Sequence, residues 1–113
     1  MAEEDEIRTE VFKLQAELCK SLSDPKRLYI IHELRTGERT VSELAEIIGL
    51  KQSNTSQHLA ILRKIGVVLP RKEGNLVYYR LAHQKIADAC DIVQAVIVEQ
   101  LKNSQRLSRL MQR

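Results

Sequence analysis

The chain has 113 residues, 43% apolar and 29% charged, with a formal net charge of +3. That length and mix predict one soluble globular domain, 1–113, and argue against a disordered chain. No run approaches the roughly 20 apolar residues that span a bilayer, the start is acidic rather than signal-like, and two cysteines are too few for a disulfide scaffold; we therefore expect a cytoplasmic protein with no membrane partner.

Residues 1–9 form an acidic N-terminal segment, and residues 1–10 carry a net −4. Ile7, Val11, Leu14 and Leu18 recur at helical steps and predict a first helix from about Asp5 to about Ser21. Asp24 can cap a second helix, with Pro25 preorganised at its first position. That helix should run to about Arg35, with Leu28, Ile31 and Leu34 inward, and end at Thr36-Gly37. Thr40-Val41-Ser42-Glu43 has the spacing of a capping box opening a short third helix. Val41, Leu44, Ile47 and Ile48 are its predicted apolar face, and Gly49 its stop. Leu50 and Lys51 alone separate it from a fourth helix, 52–64, in which Leu59, Leu62 and Ile65 should pack inward.

Val67-Val68-Leu69 and Val77-Tyr78-Tyr79 flank Gly74-Asn75 and predict a β-hairpin over 67–81 with a type II′ turn. That turn sets Lys72 opposite Val77, Arg71 opposite Tyr78 and Pro70 opposite Tyr79; Pro70 confines its strand to an edge. The last helix should be the longest, 84–111. Ile86, Cys90, Val93, Ile97 and Leu101 form one stripe, and Ala89, Ile92, Val96 and Val98 widen it beyond one face. So wide an apolar surface predicts burial on two sides, one of them against a second subunit.

Two short helices joined by the turn Gly49-Leu50-Lys51 form a helix-turn-helix candidate. Its second helix opens with Gln52, Ser53, Asn54, Ser56, Gln57 and His58, side chains able to hydrogen-bond base edges. A basic hairpin follows, the order of a winged helix. Lys51 to Lys85 hold seven bases and one acid, which suggests a polyanion partner. Taken singly, the polar helix start reads equally as an ordinary exposed face and the basic strip as a solvated one. Together, turn position, polar face, hairpin and charge point to DNA. The expected fold class is mainly α with a β-hairpin wing, α1-α2-α3-α4-β-β-α5.

The segments Leu22-Ser23-Asp24-Pro25-Lys26-Arg27-Leu28, Thr40-Val41-Ser42-Glu43-Leu44-Ala45, Ser53-Asn54-Thr55-Ser56-Gln57-His58-Leu59-Ala60-Ile61-Leu62, Gly66-Val67-Val68 and Tyr78-Tyr79-Arg80-Leu81 resemble the ArsR/SmtB family of winged-helix repressors over about residues 10–101. The resemblance implies a homodimeric repressor, paired through its first and last helices, that binds a double-stranded DNA operator with the fourth helix and the wing. The candidate DNA contacts are Thr40 and Ser42 at the third helix; Lys51, Gln52, Ser53, Asn54, Ser56, Gln57 and His58 at the fourth; and Arg71, Lys72 and Asn75 on the hairpin. One position departs from the pattern: the cap of the fourth helix, often serine in the family, is Lys51. Lysine cannot cap an N-terminus and opposes the helix dipole, so Lys51 reads as a phosphate contact.

Many members of that family release DNA on binding a metal or on thiol chemistry. Their metal site on the last helix resembles Asp-x-His followed by later ligands; here Asp88-Ala89-Cys90 fills the comparable stretch, and Leu101 and Ser104 stand where those ligands would be needed. The family's other site needs a cysteine pair near the recognition helix, which this chain lacks. We therefore expect no metal centre and no cofactor. Cys19 and Cys90 read either as inert packing or as a thiol sensor, and no inducer is indicated. His32 reads as a helix-surface residue and His83 as a helix start. A protein-binding module that has lost DNA binding is the alternative function. An enzyme is disfavoured, because neither a nucleophile–base pair nor a glycine-rich phosphate loop is evident.

Overall fold

The computed structural model describes residues 1–112, except for the side chains of 105–107. They fall into two compact units, Met1–His83 and Gln84–Arg113.

In the first unit, α1 (Ala2–Ser21) leads to α2 (Pro25–Glu33), a single tight turn (Leu34–Thr36), β1 (Arg39–Thr40), α3 (Val41–Ile48), α4 (Gln52–Lys64), β2 (Val68–Glu73) and β3 (Leu76–Leu81). Helix α1 starts three residues before the predicted Asp5. Glu3, Glu4 and Asp5 lie in its first turn, where carboxylates favour the positive end of the helix dipole. Asp24 caps α2 by accepting from the Lys26 and Arg27 amides, with Pro25 at the first helical position. The helix gives way at Leu34 to a 3₁₀ turn, so its predicted end near Arg35 falls in that turn.

The capping box of α3 is present: the Glu43 amide donates to the Thr40 hydroxyl and the Thr40 amide to the Glu43 carboxylate, both at 3.1 Å. Thr40→Ala should therefore cost about 1 kcal/mol, read from chemical denaturation. Hydrogen bonds from the Thr40 amide and hydroxyl, with Arg39 nearby, hold the Glu43 carboxyl below its ordinary range. A carboxyl depressed in this way stabilises the folded state above about pH 4. That contribution disappears as pH falls through the depressed value. Thr40→Ala should narrow the difference in stability between pH 7 and pH 3. Helix α3 stops at Gly49, whose φ of +78° is the left-handed cap that favours glycine.

The core of this unit gathers Ile30, Ile31 and Leu34, then Leu44, Ala45 and Ile48 of α3, Leu59 and Leu62 of α4, and Val67 and Val68 at the hairpin root. Each buried valine, leucine or isoleucine side chain contributes about 1.5–3 kcal/mol. Two expected core residues are corrected. Leu28 is 41% exposed and Ile47 40%, while Ile30 and Ala45 take the inner positions. The rest of both expected faces is buried, with Ile31, Leu34, Leu44 and Ile48 all in the core.

The hairpin register is as predicted: Pro70 faces Tyr79, Arg71 Tyr78 and Lys72 Val77. Gly74 has φ +60° and Asn75 a negative φ, the combination of a type II′ turn. The sheet differs from the expected two-stranded ribbon. β1 pairs with β3 through Arg39–Tyr79 and Thr40–Tyr78, giving the order β1-β3-β2. Pro70 thus sits on the edge strand, where its missing donor costs nothing.

The second unit also corrects an expectation. The predicted helix 84–111 is broken into α5 (Gln84–Lys102) and α6 (Gln105–Met111). At the break the Ser104 amide and hydroxyl both donate to the Leu101 carbonyl, at 3.0 and 2.9 Å. Asn103 and Ser104 belong to the residue types whose side chains compete with helical bonding. Among the described residues no helix is long and apolar enough to cross a membrane.

Candidate nucleic-acid interface

The presentation of α4 is set by its buried row. Thr55, Leu59 and Leu62 are fully buried, and the Thr55 hydroxyl donates to the Lys51 carbonyl at 3.0 Å. At 100° per residue, Ser53, Gln57, Ala60 and Lys64 fall on the opposite side, flanked by Asn54 and Ser56. All six are exposed, as is Gln52 in the first turn. Lys51 occupies the N-cap with extended backbone and no capping side-chain bond. The first amides of α4 therefore keep their donors for an outside acceptor.

His58 stands apart from this set. It is half-buried, with its Nδ1 3.4 Å from Arg27 Nη1, while Arg27 Nε donates to the Ser21 carbonyl. One guanidinium thus ties the end of α1 and the start of α2 to α4. Burial alone would raise the nearby Asp24 carboxyl. The Lys26 and Arg27 amides, His58 and the Arg27 charge together hold it below its ordinary value. Thr40 is only 8% exposed and its hydroxyl serves the capping box, so the structure does not bring it to the surface with Ser42, which is exposed.

On the hairpin, Lys72, Asn75 and Arg80 are exposed. The Lys72 ammonium has no hydrogen bond or ion pair among the described residues. Arg71 is engaged: Nη1 lies 2.7 Å from Glu73, Nε lies 2.9 Å from Glu38, and the guanidinium stacks 4.7 Å from the Tyr78 ring centroid. Hydrogen bonds to Glu73 and Glu38 raise its pKa further. Lys64 and Arg80 were not singled out from the sequence. The signal for Lys64 was its place eleven residues, or three turns, after Ser53, on the same face.

Cys19 on α1 is exposed and Cys90 on α5 is half-buried; neither forms a disulfide. Among the described residues no group of three or more His, Cys, Asp or Glu side chains could hold a metal ion.

A family model described as bacterial regulatory protein, arsR family, matches residues 24–69. The HTH-type transcriptional regulator Rv0081 of Mycobacterium tuberculosis is 37% identical over 94 residues, 82% of either chain. The chain belongs to the arsR family. The Rv0081 crystal structure matches with a TM-score of 0.74 over 82% of this chain and 94% of that one. The solution structure of the homodimeric winged helix-turn-helix DNA-binding domain of Mb0332 from Mycobacterium bovis matches with a TM-score of 0.77 at 32% identity, covering 87% and 91%. The biofilm growth-associated repressor of Xylella fastidiosa is 36% identical over 89 residues, 79% of this chain and 78% of its own. In this arsR-family chain the matched stretch runs from the Asp24 cap of α2, through α3 and α4, into β2. The architecture is a winged helix-turn-helix, with α3 and α4 as its helix pair and β2–β3 as its wing.

Proposed function

We propose that the protein is a homodimeric transcriptional repressor acting in the cytoplasm, with α4 in the major groove of an operator and the β2–β3 hairpin flanking the duplex. The observation that carries this function is the row Ser53, Gln57 and Lys64, with Asn54 and Ser56 beside it, exposed opposite the buried Thr55, Leu59 and Leu62. Amide and hydroxyl side chains at the start of the second helix suit base edges. Lys51 at the open N-terminus of α4 and Lys72 on the wing suit phosphate. Homodimerisation is supported by two uncovered stripes: Ile7, Val11 and Leu14 on α1, and Val93, Ile97 and Leu101 on α5, all exposed.

Titration of the protein with its own upstream DNA and with a scrambled duplex, at several salt concentrations, tests the function. A preference for the upstream DNA that weakens with salt is expected. Equal affinity for the two duplexes, or no binding, would leave the fold as a protein-binding module. Within the same experiment Lys72→Ala should weaken both complexes alike and lower the salt slope by about one ion, because a phosphate contact carries no sequence information.

A further inference from the structure

Resting on the DNA-binding function proposed above, we propose that Arg71 is a positioning residue that straps the wing to the helix-turn-helix, and not a phosphate ligand. Register brings the parts into one line. Arg71 on β2 faces Tyr78 on β3, and Tyr78 faces Thr40 on β1. The Arg71 side chain lies over the Tyr78 ring and reaches Glu38, two residues before the cap of α3. It therefore crosses the sheet from the edge strand to the segment that feeds α3. Its second ion pair, to Glu73, holds the guanidinium from its own strand.

Two consequences follow from chemistry. One guanidinium between two carboxylates leaves a local charge of −1, so a phosphate approaching Arg71 meets Glu38 and Glu73 as well. Lys72 beside it, with no ion pair among the described residues, presents no such barrier. Exposed ion pairs are individually weak, but here two of them and a ring contact converge on one planar fork. A lone two-stranded hairpin is marginal in water, and only the two residues of β1 extend this one into a sheet. A cross-strand strap therefore has leverage on where the wing points, and so on whether α4 and the wing meet the duplex together.

The test compares the wild type with Arg71→Lys, Arg71→Ala, Glu38→Gln and Lys72→Ala, on the upstream DNA and on a scrambled duplex at two salt concentrations. Arg71→Lys keeps the charge and loses the fork and the ring contact. It should lower the preference for upstream over scrambled DNA about fivefold, with the salt slope unchanged. Glu38→Gln removes a negative charge, which by itself tightens any DNA complex; the strap requires that the preference nevertheless falls. In the protein without DNA, both variants should speed amide hydrogen exchange across Arg71–Arg80. If Arg71→Lys and Glu38→Gln keep the wild-type preference and exchange rates, while Arg71→Ala lowers the salt slope as Lys72→Ala does, Arg71 is a phosphate ligand and the strap is overturned. Should the wild type show no preference for its upstream DNA, the proposed function fails; exchange in the free protein then decides the strap by itself, unchanged rates overturning it.

Discussion

Ile97→Glu should convert the protein to monomers and abolish most operator binding. Ile97 is 48% exposed and Val93, one turn earlier, 59%. The monomer fold should accordingly tolerate the change. In a dimer that buries this stripe, the glutamate would be an unpaired charge in a dry interface, at a cost of several kcal/mol. Sedimentation velocity at micromolar concentration reads the association state, and circular dichroism verifies that the helices survive. DNA binding should fall in parallel, because under the proposed function two copies of α4 would engage a two-fold operator. A variant that remains dimeric at micromolar concentration would show that the interface lies elsewhere.

Gln57→Ala should separate reading bases from holding the backbone. Gln57 lies in the middle of the exposed row of α4, directly opposite the buried Leu59 and Leu62 side. A glutamine amide can make paired bonds to an adenine edge, and losing such a pair costs about 1–3 kcal/mol of discrimination. The loss should appear on the operator and hardly at all on scrambled DNA. Preference should relax at one base pair in each half-site, the two positions lying about one helical turn apart or a multiple of it. Lys72→Ala supplies the contrast, since it should weaken both duplexes equally. If Gln57→Ala also weakens both equally, α4 does not read bases through this residue.

Several features were legible in the sequence because the interactions that make them are local. Asp24-Pro25 caps and starts α2 within three residues, the Thr40–Glu43 box closes over one turn, and Gly49 and Lys51 bracket the turn before α4. The hairpin register follows from a two-residue turn, after which alternation leaves one pairing. The polar face of α4 was legible for the same reason, since helical spacing alone puts Ser53 and Gln57 opposite Thr55 and Leu59.

Tertiary structure decided what depends on partners distant in the chain. β1 is two residues long and has no period of its own; it exists because Arg39 and Thr40 find Tyr79 and Tyr78 on β3. That Ile30 joins Ile31 and Leu34 in the core while Leu28 stays at the surface depends on the angle at which the neighbouring elements arrive, and 3.6-residue periodicity leaves that angle open. Arg71 shows the limit most directly: its sequence neighbours mark a basic wing, while its anchor, Glu38, lies 33 residues away. The caps, the turn between α3 and α4 and the hairpin register could be read from the sequence, because each is settled between residues close in the chain. The third strand, the phase of the core and the engagement of Arg71 required the folded chain, because only packing brings those groups within reach of one another.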